Sequence, residues 1–305
     1  MRLTRRQTLA AGAAAPAMAA LPRAASAEAH AMTEAPLGTW HRTLNLGDMT
    51  VTTLLDNTIP REDPHSIFGL NVDDATFAEV SEDAFLPTDT AQFFFTPVLV
   101  RAGGNTILFD TGLGQGGITR ALEDAGLTAG DVTHVVITHM HGDHVGGLIT
   151  DGEPTFANAE HITGEAEMNH WIANPNDAIT NNVAPIQDRF TLVGDGAEIA
   201  PGITGMAAFG HTPGHMIYRL DSGDRSMVIF ADTANHYVYS LAHPDWEVRF
   251  DMDKAQAAET RRRVLDMLSA DRIPMTGYHM PFPAAGFVET DGDGYRWVPT
   301  SYQLM

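Results

Sequence analysis

Short apolar runs rich in β-branched residues alternate with turn residues along most of the chain. Helical spacing of apolar positions predicts helices over 117–127, 164–174 and 253–268, the last with Asp251 or Asp253 as its N-cap. No linker separates two cores, so one α/β domain is the simplest architecture. Strands are predicted over 49–56, 93–104, 105–112 and 133–139, with three more between residues 205 and 232.

Residues 57–92 fit neither pattern well. They contain several prolines and the phenylalanines Phe68, Phe77 and Phe85. We interpret them as a long loop with short helical turns, packed down by its phenylalanines. Loops of this length are usually functional or disordered.

The first 27 residues, MRLTRRQTLAAGAAAPAMAALPRAASA, have the composition of an export signal. A basic start, an alanine-rich apolar stretch and small residues before the cleavage point follow one another. The pair Arg5-Arg6 is typical of a twin-arginine signal, which predicts an exported, periplasmic or secreted protein. The alternative is an uncleaved membrane anchor, but Pro16 and Pro22 interrupt a weakly apolar stretch. We predict a mobile leader over 28–42, a single domain over 43–305, and no stable membrane anchor after cleavage.

Charge and cysteine content exclude several classes of protein. Cleavage after residue 27 would remove four arginines and no acid, leaving 14 basic and 39 acidic residues and a formal net charge of −25. Such a surface repels phosphate backbones, so nucleic acid is not an expected partner. The chain has no cysteine, and therefore neither a disulfide framework nor a cysteine nucleophile.

The stretch ITHMHGDHVGG, residues 137–147, concentrates metal-binding side chains at the end of a predicted strand. His139 and His141 alternate in an extended segment and therefore project together, whereas Gly142 lets the chain turn before Asp143 and His144. Neutral imidazole and carboxylate suit zinc, and also iron or manganese. A solvated histidine-rich turn is the alternative, but four ligands within six residues favour a metal site.

Three further ligand candidates follow apolar runs elsewhere in the chain. His211 lies in FGHTPGH, Asp232 ends VIFADT, and His279 lies in PMTGYHMPFP. A buried aspartate without a partner is costly, so Asp232 directly after SMVIFA requires a cation or several hydrogen-bond donors. These positions favour a site for two metal ions.

Taken together, these motifs resemble those of the metallo-β-lactamase superfamily. The resemblance implies a four-layer αββα sandwich with the metals at one edge. It implies that His139, His141 and His211 hold one divalent ion, with zinc preferred. Asp143, His144 and His279 would hold the other, and Asp232 would bridge the two.

The resemblance extends to residues around the metals and to the C-terminal tail. It implies that Asp110, in LFDTG, orients the cluster without binding metal. His215, which closes FGHTPGH, is interpreted as structural rather than as a ligand. The tail GYHMPFPAAGFVETDGDGYRWVP, residues 277–299, is similar to that of the methyl parathion hydrolase-like group, which is related to the quorum-quenching lactonases. A homodimer is expected from this resemblance alone.

The expected activity is hydrolysis. Two metals would lower the pKa of a shared water toward neutrality, and the bridging hydroxide would attack a lactone, aryl ester or phosphotriester. Asp232 and Asp143 are the candidate catalytic residues. An iron-dependent oxidoreductase or sulfur dioxygenase on the same fold, and a non-catalytic zinc module, are the alternatives. β-Lactamase is disfavoured because two of its three zinc classes use a cysteine ligand.

Selectivity must come from the pocket walls. The candidates are Phe68 and Phe85 of the long loop, Leu113 of the turn after Asp110, and Trp171. Phe93, Phe94 and Phe95 are interpreted as strand core. Because no basic residue in these segments stands out as a partner for a free carboxylate or phosphate monoester, and the turn has little aromatic bulk, we expect a small neutral substrate and slower cleavage of phosphotriesters.

Overall fold

The protein is described here by a computed structural model that covers residues 39–300. The predicted signal, residues 28–38 of the predicted leader and residues 301–305 lie outside the described residues. The first strand begins at His41, so ordered structure starts before the predicted boundary at residue 43. Within residues 39–300, no helix is both long and apolar enough to cross a membrane.

The strands and helices are numbered in chain order. The helices are α1 (Asp74–Asp83), α2 (Gly117–Asp124), α3 (Gly142–Val145), α4 (Glu165–Ala173) and α5 (Lys254–Asp271). The strands are β1 (His41–Leu46), β2 (Met49–Leu54), β3 (Asn57–Glu62), β4 (Thr90–Phe95), β5 (Val98–Ala102), β6 (Asn105–Phe109), β7 (His134–Ile137), β8 (Ile149–Thr150), β9 (Glu153–Pro154), β10 (Glu160–Gly164), β11 (Phe190–Val193), β12 (Glu198–Ala200), β13 (Ile203–Ala207), β14 (Met216–Ser222), β15 (Arg225–Ala231), β16 (Met275–Gly277), β17 (Ala285–Asp291) and β18 (Gly294–Pro299).

Two seven-stranded sheets dominate the fold. The first has the order β1-β2-β5-β6-β7-β10-β11, and the second runs β12 to β18 in sequence. Strands β6, β7, β10 and β11 are parallel to one another, as are β15 and β16. The carboxyl ends of parallel neighbours lie at the same edge of a sheet, and this edge is where parallel sheets bind ligands.

Alternation along the strands produces four layers. In β6, Ile107 and Phe109 face the second sheet, whereas Leu108 faces α2 and α4. In β15, Ile229 faces the first sheet and Phe230 packs under α5. Each sheet is therefore apolar on both faces and covered by helices on its outer face. The αββα sandwich implied by the family resemblance is the fold of this protein.

The prediction of a long loop over residues 57–92 is wrong. This segment contains β3, α1 and the first half of β4, and β3 pairs with β4 in a separate two-stranded sheet. Strand β3 escapes recognition because it contains Pro60 and polar residues, which an edge strand tolerates. The single strand predicted over 93–104 is also wrong, because the chain divides at Thr96-Pro97 into β4 and β5, which belong to different sheets.

Helix α5 begins where its N-cap predicts. Asp253 accepts a hydrogen bond from the backbone N–H of Gln256 at 3.0 Å, which makes Asp253 the N-cap and leaves Asp251 for another role. The helix continues to Asp271, three residues beyond its predicted end. Its buried face carries Arg261 among apolar side chains.

Candidate metal centre

All seven predicted ligands converge at one edge of the sandwich. Strand β7 leads into His139, and β15 and β16 lead into Asp232 and His279. The chain turns sharply after β6 and at the end of β15, because Asp110 and Ala231 have positive φ angles of 64° and 46°. A non-glycine residue rarely adopts this conformation, and such strain is concentrated at functional sites.

Three imidazoles form the first ligand group. His141 Nδ1 lies 3.2 Å from His139 Nε2 and 3.0 Å from His211 Nε2. His139 and His211 are buried, and the three nitrogens all lie within 4.8 Å of one another. Three convergent nitrogens at this spacing can bind one metal ion.

The second group contains Asp143, His144 and His279, whose ligand atoms also lie within 4.8 Å of one another. Asp232 lies between the two groups. Its Oδ2 is 3.1 Å from His279 Nε2 and 3.4 Å from His211 Nε2, and its Oδ1 is 3.4 Å from His144 Nε2. One carboxylate thus faces ligands of both groups, as a bridge requires.

Two buried atoms show that the residues fit metal ions. His144 Nε2 and Asp232 Oδ1 have no hydrogen-bond partner within the described chain, although both are inaccessible to solvent. Leaving a buried polar atom without a partner costs about 1–3 kcal/mol. A bound cation would satisfy both atoms.

Buried acceptors hold the far nitrogens of the histidine rings. His144 Nδ1 donates to Asp110 Oδ2 at 2.9 Å, and His211 Nδ1 donates to Asp251 Oδ1 at 2.9 Å. His279 Nδ1 donates to the carbonyl oxygen of Phe94 at 2.8 Å. These bonds fix the ring tautomers and leave each Nε2 lone pair free for a metal.

His215 is placed behind the site. Its Nδ1 donates to the carbonyl of Ala208 at 3.1 Å, and its Nε2 accepts from the backbone N–H of Asp232 at 3.1 Å. The ring therefore fixes the backbone of the bridging residue. Both of its nitrogens are occupied, so it is not placed as a ligand.

Electrostatics divide the ligand imidazoles into two kinds. Burial lowers the pKa of each, but attraction to Asp232 and the other facing carboxylates outweighs burial and raises the pKa of His144, His211 and His279. Burial, together with the neighbouring His211, lowers the pKa of His141 to about 3. Burial alone would raise the pKa of Asp232, but attraction to His279 and His144 outweighs it and holds that pKa well below its usual range. Metal binds neutral imidazole and ionised carboxylate, so metal binding would displace protons from the imidazoles whose pKa values Asp232 raises.

A buried ion pair supports the segment that carries His211. Asp251 Oδ2 accepts from Arg261 at 2.7 Å, and Arg261 also donates to the carbonyl oxygens of Thr233 and Pro244, each at 2.8 Å. Arg261 therefore connects the segment after Asp232 to the carboxylate that orients His211.

Sequence reasoning missed three buried charged residues around the ligands, namely Asp251, Arg261 and Glu167. The sequence contained a signal for two of these residues, Arg261 and Glu167. Arg261 lies on the apolar stripe of α5, and Glu167 is followed by the buried Met168 and Trp171 on α4. A charged residue on a buried stripe requires partners, and in this fold those partners belong to the site.

Four of the ligands form the floor of a cavity of about 360 Å³. Its walls are largely apolar, with Arg61 as their one charged side chain besides the ligands. Arg61 forms no hydrogen bond or ion pair with another side chain of the described residues. The cavity is lined by Arg61, Phe93, Phe95, Leu113, His141, Gly142, Asp143, Asp232, Phe250 and His279.

The predicted pocket residues are only partly brought together. Leu113 lines the cavity, whereas Phe68 is buried behind it, stacked on Phe93 with ring centroids 5.8 Å apart. Phe85 is 96% exposed and points into solvent. Trp171 packs edge-on against the His141 ring at 5.9 Å rather than lining the cavity.

The residues of the cavity wall contradict two expectations from the sequence, one about aromatic residues and one about basic residues. Phe93 and Phe95 were expected in the core alone, but they also face the cavity, because β4 lies in its own small sheet beside the ligands. Phe250 adds a third aromatic ring, so aromatic bulk is present at the entrance. Arg61 shows that a basic group is present as well, brought there by the unrecognised strand β3.

Comparisons with known proteins agree with this geometry. The family model described as "Metallo-beta-lactamase superfamily" matches residues 96–275. AidC, a dizinc quorum-quenching lactonase solved with a product, is 25% identical with a TM-score of 0.79, covering 86% of this chain and 98% of that chain. The hydrolase AbOPH is 24% identical with a TM-score of 0.81, covering 87% and 99%.

A curated relative matches over a short stretch. The "Lactamase-like protein adaB" of Aspergillus niger is 44% identical over 54 residues, which is 16% of each chain. The match thus spans less than a fifth of that relative. The family model covers more than half of the chain and coincides with the fold and ligand set, so this chain belongs to the metallo-β-lactamase superfamily.

Proposed function

We propose that the protein is a binuclear metal-dependent hydrolase that cleaves an uncharged ester-type bond, such as that of a lactone, aryl ester or phosphotriester. The observation that carries the proposal is the position of Asp232 between two groups of three ligands. Four of the seven side chains, His141, Asp143, Asp232 and His279, line one cavity of about 360 Å³, and the other three lie within the same ligand groups. This volume is within the range of small-molecule sites.

The residues that would hold the metals are those of the two ligand groups, with Asp232 common to both. Two bound divalent ions, zinc by preference, would polarise the electrophilic oxygen and lower the pKa of water toward neutrality. No side-chain nucleophile is required. This chemistry suits a chain that has no cysteine.

Side chains of the protein position the reacting groups and transfer the proton that hydrolysis requires. Asp232 and Asp143 are the carboxylates nearest the reacting centre, and the side chain of Asp143 is 24% exposed toward the cavity. We assign Asp143 to accept the proton released by the attacking water and pass it to the leaving oxygen, because it is more accessible than Asp232, whose side chain is 3% exposed. Tyr278 donates from its hydroxyl to the Asp143 carbonyl at 2.5 Å and holds this segment in place.

The walls indicate the substrate class. Phe93, Phe95, Phe250 and Leu113 favour an apolar acyl or aryl group and reduce access of bulk water. Similarity to a quorum-quenching lactonase supports a lactone among the candidates. Export from the cytoplasm and a homodimer remain proposals that rest on the sequence signal and on family resemblance.

Metal analysis combined with a hydrolysis panel tests the proposed function. We expect protein purified without chelator to contain about two metal ions per chain. Chelation should abolish hydrolysis of lactones and aryl esters, and added Zn²⁺ should restore it. One metal or none would contradict a binuclear site. Iron with substrate-dependent oxygen uptake would favour an oxidoreductase, and two metals without turnover of any substrate would favour a binding module.

Arg61 gives a second prediction, on selectivity. We expect Arg61→Gln to lower kcat/KM about tenfold for an aryl ester whose acyl tail ends in a carboxylate, because a charge-assisted hydrogen bond is worth about 1.5 kcal/mol or more. The matching ester with a methyl-terminated tail should change little. The measurement compares kcat/KM for the two esters.

Arg42→Gln is the matched control, because Arg42 is an exposed strand arginine that does not line the cavity. It should leave both esters unaffected. Equal losses on the two esters, or no loss on either, would show that Arg61 does not contact the substrate's tail.

A further inference from the structure

Glu167 on helix α4 is a fully buried carboxylate that accepts four hydrogen bonds. Its Oε1 accepts from the backbone N–H of Met140 at 2.8 Å and from the indole N–H of Trp171 at 2.7 Å. Its Oε2 accepts from the Thr212 hydroxyl at 2.7 Å and from the backbone N–H of Gly214 at 2.9 Å. All four partners are donors, so an ionised carboxylate is the form that satisfies them.

Three of the four donors belong to the two loops that carry the three-histidine group, and the fourth, Trp171, lies on α4 itself. Met140 lies between His139 and His141, and Thr212 directly follows His211. One carboxylate therefore joins the loop after β7 to the loop after β13. The spacing of the three metal-facing nitrogens depends on the separation of these loops.

The second loop has little room to move. A Cβ added at Gly214 would lie 2.0 Å from the backbone nitrogen of Glu167, so the loop rests directly on α4. On the other side, Gly210 has a φ of 124°, and a Cβ there would lie 2.3 Å from the backbone nitrogen of Ala257 on α5. His211 is thus presented by a loop wedged between two helices.

We propose that Glu167 is a positioning residue that sets the distance between these two loops and thereby determines the metal affinity of the His139–His141–His211 group. The other group is held differently. His144 is oriented by Asp110, and His279 by the carbonyl of Phe94. Loss of the Glu167 carboxylate therefore weakens one metal site selectively. The inference rests on the metal-binding part of the proposed function and not on the reaction.

Glu167→Gln tests the inference with almost no change in size. An amide has one oxygen and one NH₂ group, so in either orientation the NH₂ group faces two donors. We expect the affinity of one of the two metal sites to fall about 10- to 100-fold, the usual cost of removing a partner that orients ligands. Titration of metal-free protein with Zn²⁺ against a chromophoric chelator gives both affinities.

Glu165→Gln is the matched control, since Glu165 is exposed two residues earlier on the same helix. It should leave both affinities unchanged. Thr212→Val removes a single donor and should weaken the same site by a smaller factor, which provides a test if Glu167→Gln does not fold. Thermal unfolding of the metal-free proteins reports any general loss of stability.

Two results would overturn the inference. One is equal weakening of both sites, which would assign Glu167 a general structural role. The other is unchanged affinity in whichever of the two variants folds. A wild-type protein that binds no metal would instead refute the proposed function, so the two failures are distinguishable.

Discussion

Replacing Asp232 by Asn is expected to reduce bound metal from about two ions per chain to one or fewer, and to lower kcat more than about 100-fold. Asp232 is the residue whose oxygens face both ligand groups, 3.1 Å from His279 Nε2 and 3.4 Å from His211 Nε2. The asparagine side chain lacks the negative charge that would offset the positive charges of two bound divalent ions. Elemental analysis and turnover of the same preparation measure both effects.

Asp224→Asn provides the control for this experiment. Asp224 lies in the exposed turn before β15, at the opposite end of the strand that leads into Asp232. The change of charge is identical, yet metal content and kcat should match the wild type. Full metal content with unchanged turnover in Asp232→Asn would exclude a bridging role.

Replacing Arg261 by Met is expected to lower the free energy of unfolding by about 3–5 kcal/mol. The guanidinium is fully buried and donates to Asp251 at 2.7 Å and to the carbonyls of Thr233 and Pro244 at 2.8 Å each. Its removal would leave a buried carboxylate without its cation. Denaturant-induced unfolding of the metal-free protein gives the change directly.

Arg263→Met is the corresponding control, because Arg263 is exposed on the same helix. A change within about 0.5 kcal/mol is expected there. The double variant with Asp251→Asn should recover part of the loss, since it removes the unpaired charge. A loss below about 1 kcal/mol in Arg261→Met would contradict a structural role for the pair.

Much of the architecture could be predicted from apolar patterning. Strands buried on both faces, such as β6 and β15, are continuous apolar runs bounded by turn residues, and α5 has clear helical spacing with an N-cap. Strand β3 could not be found this way. It is polar and contains Pro60, and it is a strand because it pairs with β4. The local sequence pattern does not record such a tertiary contact.

The ligand cluster could be predicted from the sequence, because few residue types bind metal and those residues lie just after apolar strands. The residues behind the ligands were less accessible. Asp251 was considered only as a helix cap, and Glu167 resembles any helical glutamate until α4 is packed against the two loops. The cavity wall depended on β3 and β4, so Arg61 and the facing phenylalanines could not be assigned before the small sheet was known.

The wide spread of the ligands along the chain has a consequence for how the enzyme would acquire its metal. The ligands come from positions 139–144, 211, 232 and 279 and from both sheets, so an unfolded chain contains no preformed centre. Ion capture must therefore follow the pairing of both halves of the sandwich. Divalent ions compete for such sites according to availability as well as intrinsic affinity. The ions available in the compartment where the chain folds would then determine which metal is bound. Under the predicted twin-arginine route that compartment is the cytoplasm, and the ions that surround the protein after export would have less influence.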